Sequence, residues 1–229
     1  HTGVEPRLVA AAQEKLDAGY KRLIGFECGE KGYEWFGENP GHEALTAFGL
    51  LHFTDMAKVR DVDHAMIART RDWLLRQRDG KGGFSRKRRA LHTWIEDQDC
   101  SNAYILWALL ESGERAGLSA ELSALRTAAS RSTNSYVTAL GANVLALAGD
   151  EQEARSLMSK LAAKQDKTGQ VTGATMSIVG SGGEALAIET TALAVLAWLR
   201  EPSFAENAMR AMKFLADSCQ DGRYGSTQS

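Results

Sequence analysis

The spacing of apolar residues predicts helices along nearly the whole chain. Apolar side chains recur at every third and fourth position, which is the period of an amphipathic helix, and strand-like alternation is scarce. Only 3 prolines interrupt the pattern. We therefore predict an all-α protein with about nine helices. The expected helices span residues 6–23, 41–57, 62–78, 99–112, 119–130, 134–148, 150–165, 184–200 and 202–218.

Several predicted helix ends carry residues that can cap a helix. Such residues satisfy the terminal backbone groups, which have no hydrogen-bond partner within the helix. Ser119 and Asp150 stand where a side-chain oxygen would accept N–H groups of the first turn. Gly113 and Gly149 stand just past a helix end, where glycine adopts the left-handed conformation most easily. We predict that these four residues begin or end the neighbouring helices.

The predicted helices fall into two alternating classes, which we call inner and outer helices. Inner helices are apolar around most of their circumference, which indicates that other helices surround them. Their sequences are "HEALTAFGLLHF", "SNAYILWALLES", "SYVTALGANVLALAG" and "ALAIETTALAVLAWL". Outer helices carry one apolar stripe and one charged face, as expected when solvent covers one side. Their sequences are "DHAMIARTRDWLLRQR", "SAELSALRTAAS", "DEQEARSLMSKLAAKQ" and "EPSFAENAMRAMKFLADS".

The connections from outer to inner helices share a pattern as well. A helix end is followed by a turn with Gly or Asp and then by an aromatic or small residue. The pattern occurs in "RQRDGKGGF" (76–84), "AKQDKTGQV" (163–171) and "SCQDGRYGSTQ" (218–228). Recurring units of this kind are typical of repeat architectures. We predict an α/α toroid of two concentric helix rings, with the Gly-rich turns on one face.

Composition and charge narrow the class of protein further. With 229 residues and 44% apolar composition, the chain can bury one sizeable core or at most two modest ones. We expect a single domain over residues 1–229. A net charge of −2 argues against a nucleic-acid-binding surface spread over the molecule. No apolar run approaches the roughly 20 residues that span a bilayer, and we expect no membrane span in this chain.

The cysteines predict neither a disulfide framework nor a metal site. Cys28, Cys100 and Cys219 are widely spaced and odd in number. Segment 95–100, "IEDQDC", places acidic residues beside Cys100, as in toroids that bind zinc through Asp, Cys and a later His. No histidine follows His92 in this chain, so that ligand order cannot be completed. We expect no metal and no cofactor.

The segment "GFECGEKGYEWFG" (25–37) contains Cys28-Gly29-Glu30-Lys31, one residue away from the Cys-Gly-Glu-Gln of an internal thioester. Thioester formation needs the glutamine carboxamide as its acyl group, and Lys31 carries an ammonium instead. Gly32 and Tyr33 follow the first outer helix as Gly83 and Phe84 follow the third helix. We predict that Cys28 is a decoy with a structural role in a turn.

The ordered blocks of the chain resemble one family. "GYKRLIGFECGEKGYEWFGENPGHEALTAFGLLHF", "WLLRQRDGKGGF", "SNAYILWALLESG", "SYVTALGANVLALAGD", "AIETTALAVLAWL" and "DGRYGSTQS" follow one another as in the thioester-containing domain of the alpha-2-macroglobulin and complement family. The resemblance covers nearly the whole chain. It implies an α/α toroid, in agreement with the helix pattern. It also implies that the family's Cys-Gly-Glu-Gln falls upstream of His1, so this chain would be a scaffold, truncated at both ends and inert by itself.

The resemblance points to one residue with chemistry of its own. Complement members that acylate hydroxyl groups have a histidine eight residues beyond the aromatic of the turn, and His92 lies at that distance from Phe84. A neutral imidazole can attack a thioester and form an acyl-imidazole. His92 is thus a candidate acyl-transfer histidine. The other interpretation is an ordinary polar loop residue.

The same loop carries a basic run formed by Arg86, Lys87, Arg88 and Arg89. A solvated loop is the simplest interpretation. A functional interpretation is an interaction patch that contacts an acidic neighbouring domain or attracts anionic targets.

The resemblance implies a parent protein that is secreted or exposed on a cell envelope. After proteolytic activation the parent would trap proteases or tag target surfaces through their hydroxyl or amine groups. Its partners would be the neighbouring domains of its own chain and these targets, and it would not be a turnover enzyme. Two alternatives stay open: a catalytic toroid of glycosidase or lyase type, with Glu30, Glu34, Glu38 and Glu184 as unpaired candidates, and an interaction domain without a thioester.

Overall fold

The computed structural model describes residues 5–85, 97–220 and 224. Within these ranges the chain forms nine α-helices and no β-strand longer than an isolated bridge, so the predicted all-α class is confirmed. The helices are α1 (Pro6–Ile24), α2 (Glu43–Met56), α3 (His64–Leu75), α4 (Gln98–Glu111), α5 (Ser119–Arg131), α6 (Ser135–Leu147), α7 (Glu151–Ala162), α8 (Gly183–Trp198) and α9 (Ala205–Asp217). A 3-10 turn, Pro202–Phe204, precedes α9.

The chain falls into two compact units. The first contains α1 to α3, with described residues 5–77, and the second contains α4 to α9, with described residues 78–85 and 97–220. In the first unit, Tyr33, Phe53, Val62 and Met66 form a buried cluster. In the second unit, α6 packs against α4, α5, α7 and α8. The expectation of a single domain over residues 1–229 stays a prediction.

The alternation of inner and outer helices is confirmed within the described residues. In α6 every residue from Ser135 to Leu145 is buried. In α9, by contrast, only Ala208 and Ala211 are buried. Burial of a whole helix circumference requires neighbours on every side, whereas an outer helix hides one stripe and leaves its charged face in water.

Two outer helices end earlier than the apolar period predicts. The structure ends α3 at Leu75 and α7 at Ala162, although the periodicity extends to residues 78 and 165. Arg78 and Gln165 belong instead to the following turns, where each forms a β-bridge. Apolar spacing does not distinguish the last helical turn from a tight turn of similar composition.

The predicted C-terminal glycines are confirmed. Of the predicted N-caps, Ser119 is wrong, and Asp150 is at the predicted position but lacks the capping hydrogen bond. Gly113 and Gly149 have φ of 90° and 82°, in the left-handed region after α4 and α6. At α5 the N-cap is Leu118, and Ser119 lies inside the first turn. At α7 Asp150 occupies the N-cap position without a capping hydrogen bond, because its carboxylate accepts from Arg126 Nε at 2.9 Å.

Candidate functional site

Three outer-to-inner turns have the same geometry. Each is closed by an antiparallel β-bridge between two residues six positions apart. The bridged pairs are Glu27 with Tyr33, Arg78 with Phe84, and Gln165 with Val171. The predicted correspondence between the first turn and the "DGKGGF" turn is thus present in the backbone.

Each turn is also attached to the inner helix that follows it. The backbone N–H of the closing residue donates a hydrogen bond to a polar side chain of that helix. The bonds run from Tyr33 to Thr46 Oγ1 (2.8 Å), from Phe84 to Asn102 Oδ1 (3.2 Å) and from Val171 to Thr191 Oγ1 (3.0 Å). Each bond pairs a backbone amide of the turn with a polar side chain of the helix, and so fixes the turn against that helix.

The second position of two turns is an aspartate that organises the backbone. Asp79 Oδ1 accepts from the backbone N–H of Lys81 at 2.7 Å and of Gly83 at 3.0 Å, and these bonds lower the pKa of Asp79. Asp166 Oδ1 accepts from Thr168 Oγ1 at 2.6 Å and from the Thr168 N–H at 2.8 Å, which likewise lowers the pKa of Asp166. In both turns the ionised carboxylate is stabilised by donors that the turn itself provides.

Cys28 occupies this second position in the first turn. Its side chain is 1% exposed, and Sγ donates to the carbonyl oxygen of Gly32 at 3.1 Å. Lys31 has φ of 75°, and the corresponding residues of the other turns are Gly82 (φ 94°) and Gly169 (φ 99°). The segment Cys28 to Gly32 therefore has the backbone of an ordinary turn of this protein. This geometry supports the structural role predicted for Cys28, while its chemical inertness stays a prediction.

The first position of each turn contacts the next outer helix. Glu27 Oε1 accepts from Arg69 Nε of α3 at 2.6 Å, and Arg78 Nε donates to Glu121 Oε1 of α5 at 2.7 Å. In the third turn Asn207 Nδ2 of α9 donates to Gln165 Oε1 at 2.8 Å. We call these three contacts clamps. The first two are ion pairs with opposite charge order, and in the third the uncharged Gln165 Oε1 also accepts from Arg210 Nη2 at 2.7 Å.

The predicted candidates His92, Arg86, Lys87, Arg88 and Arg89 lie outside the described residues. The residues that flank this segment are well fixed in the second unit. Phe84 is bound to Asn102 as described, and its carbonyl oxygen accepts from Gln98 Nε2 at 3.5 Å. Asp97 caps α4 by accepting from the N–H of Asp99 at 2.9 Å and of Cys100 at 3.2 Å. Phe84 and Asp97, which are described residues on either side of that segment, are thus bonded to residues of the first turns of α4.

The "IEDQDC" segment has a capping role in the structure. Asp97 is the N-cap of α4, Cys100 is fully buried, and burial beside Asp97 raises the pKa of Asp99. Glu96 lies outside the described residues. In the described part of the chain, no group of three or more His, Cys, Asp or Glu side chains is arranged to hold a metal ion.

A polar cluster that the sequence did not predict lies in the second unit. Ser181 Oγ donates to Glu189 Oε1 of α8 at 2.6 Å. Burial raises the pKa of Glu189, and it also raises the pKa of Tyr104 and of Tyr136, which feel the charge of Glu189. The available signal in the sequence was a lone acid within the apolar stretch "ALAIETTALAVLAWL". Its partner, however, is set by the path of the preceding loop.

Two open grooves bear on the alternative of a catalytic toroid. The groove beside α5 is lined by Lys81, Asp99 and Arg131 among small side chains, and Asp99 is its single carboxylate. The groove at the start of α7 contains Asp150 and Glu151, which are sequence neighbours, and Asp150 is bound to Arg126. Neither groove places two carboxylates opposite each other, as glycoside hydrolysis requires.

Among residues 5–85 and 97–220, none of the helices is both long and apolar enough to cross a bilayer.

Within the described residues, buried and half-buried helices alternate, and three of their connections share one turn geometry, which is typical of an all-helical repeat protein. The family model described as the A-macroglobulin TED domain, TED standing for thioester-containing domain, matches residues 4–229, and the chain belongs to this family. It is 31% identical over 174 residues to alpha-2-macroglobulin-like protein 1 of Mus musculus. That match covers 70% of this chain and 12% of the mouse protein. The resemblance identified from the ordered sequence blocks is confirmed.

Proposed function

We propose that this chain is the scaffold of a thioester-containing domain in a larger alpha-macroglobulin or complement-like protein. The parent would expose its thioester after proteolysis and then trap proteases or tag target surfaces covalently. The observation that carries the proposal is the family match over residues 4–229. The chain spans 12% of the length of the mouse relative. We therefore propose a function of the whole parent protein, to which this chain contributes one part.

The proposed reaction is acyl transfer from a thioester outside this sequence. An amine nitrogen or hydroxyl oxygen of the target forms a bond to the acyl carbon of the glutamine side chain. The carbon–sulfur bond breaks, the cysteine leaves as a thiolate, and the proton of the nucleophile is transferred to a base. Because each centre reacts once, the domain would not turn over as an enzyme does.

His92 would direct this reaction towards hydroxyl groups. Its imidazole would take the acyl group from sulfur, and the released thiolate would then deprotonate an incoming hydroxyl. The distance of eight residues from Phe84 supports this role, because complement members that acylate hydroxyl groups have a histidine at that spacing. The basic run Arg86, Lys87, Arg88 and Arg89 would contact an acidic neighbouring domain or an anionic target on the same side.

The test is peptide mass spectrometry on the full-length parent with and without methylamine. We expect a methylamine adduct on a glutamine upstream of His1, together with a newly free thiol. The variant His92→Asn should then shift incorporation from hydroxyl acceptors towards amines. Absence of both adduct and released thiol would contradict the thioester proposal and favour an interaction domain without a reactive centre.

A second test concerns the inertness of the chain itself. Lys31→Gln restores Cys-Gly-Glu-Gln at residues 28–31, and we expect no thioester even then. The turn holds residue 31 in the left-handed conformation and directs the Cys28 thiol to its own backbone. The measurement is the intact mass with and without methylamine, with the unmodified chain as control. An adduct in either protein would contradict the decoy assignment.

The proposal places the parent outside the cell or on its envelope. Its partners would be the neighbouring domains of the parent chain and the amine-bearing or hydroxyl-bearing targets, including proteases. The family match supports this setting. Cell fractionation of the parent, followed by detection of residues 1–229, would test the location.

A further inference from the structure

The connection from the third turn to α8, residues 172–183, consists of two parts with different attachments. The first part, residues 172–178, is bonded to the start of α6. Ser135 Oγ donates to the Thr172 carbonyl oxygen at 2.6 Å, and Asn134 Nδ2 donates to the Met176 carbonyl oxygen at 3.0 Å. Ser177 and Ile178 are buried. We call this part the anchored segment.

The second part, residues 179–183, is named the strap here. Its glycines at 180, 182 and 183 are not required by close packing, because a Cβ atom built at any of them would meet no atom within 4 Å. Gly169 of the preceding turn differs, since a Cβ there would collide with the backbone of Arg210. Gly180 and Gly183 have φ of 70° and 56°. Two left-handed glycines therefore bracket a segment that packs against little.

Few bonds hold the strap closed. The Gly180 N–H donates to the Ser177 carbonyl oxygen at 3.1 Å, and the Ser181 N–H donates to Ser177 Oγ at 3.1 Å. The side chain of Ser181 binds Glu189 at 2.6 Å. Ser177 belongs to the anchored segment and Glu189 to α8, so the strap is attached to two rigid parts through one serine side chain and two backbone amides.

We propose that residues 179–183 form a hinged strap, latched by Ser181 to Glu189, whose opening uncovers the Glu189 carboxylate. Segments with few packed atoms and glycine hinges open locally at a small fraction of the global unfolding cost. The half-buried Glu189 carboxylate accepts a hydrogen bond from Ser181 Oγ through Oε1. Loss of this bond leaves Oε1 available to water or to a ligand. The strap and its latch are formed by residues of this chain alone and do not depend on a thioester in the parent.

Hydrogen–deuterium exchange of the 229-residue chain tests the strap directly, because the Gly180 and Ser181 amides report its closure. In Ser181→Ala the latch is missing, and we expect exchange of the peptide covering 179–183 to rise about 5- to 10-fold. The matched control is Ser130→Ala, which removes a hydroxyl that binds Arg126 of its own helix. Exchange of the strap should not change in this control.

A second variant should move exchange in the opposite direction. Gly182 has an extended backbone with φ of −133° and open space around it. Gly182→Ala reduces the number of backbone conformations of the open strap and causes no strain in the closed strap. We therefore expect amide exchange of residues 179–183 to slow about 2- to 5-fold. Far-UV circular dichroism confirms that each variant is folded. The proposal is overturned if Ser181→Ala leaves strap exchange at the wild-type rate, or if exchange rises equally in the anchored segment.

Discussion

At the residue scale, the three turns show that one backbone can be built from different side chains. The second position requires a group that hydrogen-bonds the turn backbone, and an aspartate carboxylate at residues 79 and 166 or the thiol of Cys28 fulfils that requirement. The fifth position requires a left-handed conformation, which glycine adopts without strain and Lys31 adopts at a cost. A motif that resembles a reactive centre is thus explained by the needs of a turn.

The strain at Lys31 predicts that glycine is better at this position. Lys31→Gly should raise the free energy of unfolding by about 1 kcal/mol, because a left-handed residue with a Cβ atom is disfavoured by that order. The ion pair with Glu27 is long, at 3.9 Å, and exposed on the lysine side, so its loss matters little. Urea unfolding monitored by circular dichroism measures the change.

The control for this prediction is Lys31→Ala, which removes the ammonium and keeps the Cβ atom. We expect no gain in stability from alanine. An equal gain from alanine and glycine would show that the charge of Lys31, and not its backbone conformation, limits stability.

At the element scale, the clamps join turns to outer helices that are distant in sequence. Arg78 and Glu121 lie 43 positions apart, and Arg69 and Glu27 lie 42 positions apart. Glu121 is 2% exposed, so its carboxylate depends on the guanidinium for compensation. The reversed charge order of the first two clamps would also disfavour pairing of a turn with the wrong outer helix, since like charges would then meet.

Removal of the Arg78 guanidinium should therefore be costly. Arg78→Met leaves the Glu121 carboxylate buried without a cation, and we expect a loss of about 2 kcal/mol, below the cost of a fully buried pair because a third of Arg78 is exposed. The matched control is Lys213→Met, which breaks the exposed pair with Asp217 at 2.7 Å and should cost less than about 0.5 kcal/mol.

The double variant Arg78→Met with Glu121→Leu completes the cycle. It removes the stranded charge, so it should be more stable than Arg78→Met alone. Chemical denaturation gives the free energies of unfolding of the unmodified protein, of Arg78→Met, of Glu121→Leu and of the double variant. If Arg78→Met costs no more than Lys213→Met, the clamp contributes nothing specific to this fold.

At the scale of the whole molecule, burial is distributed unevenly along the chain. In the second unit α6 has neighbours on every side, whereas in the first unit α1 contains no buried residue and exposes Leu8 (63%) and Val9 (54%). Resistance to local opening follows burial and packing. We therefore expect α6 to exchange its amides only on global unfolding and the first half of α1 to exchange early.

A pair of leucines tests this distribution. Leu140 of α6 is fully buried, and Leu140→Ala should cost about 2 to 4 kcal/mol, because it leaves a cavity in the packed centre of the second unit. Leu8→Ala removes the same atoms from an exposed site and should change the free energy of unfolding by less than about 0.5 kcal/mol. Equal effects in urea unfolding would contradict the assignment of α6 as a central helix.

Features that depend on neighbours along the chain could be predicted from the amino-acid sequence. The period of apolar residues predicted the nine helices that lie in the described ranges. The apolar share of each helix circumference separated inner from outer helices, and the Gly/Asp pattern marked the turns. The ordered blocks gave the family. Each of these signals is local or is carried by the order of local segments, and so it can be recognised without knowing which residues meet in space.

Features that depend on partners distant in sequence became visible only in the folded chain. Asp150 does not cap α7 because Arg126 takes its carboxylate, α3 ends before Arg78 because that residue bridges to Phe84 and binds Glu121, and Glu189 is paired with a serine in a loop. A polar side chain has several potential partners of similar strength, and the net gain from any one hydrogen bond is small. Which partner it takes is decided by how the helices pack, and the sequence pattern does not contain that information.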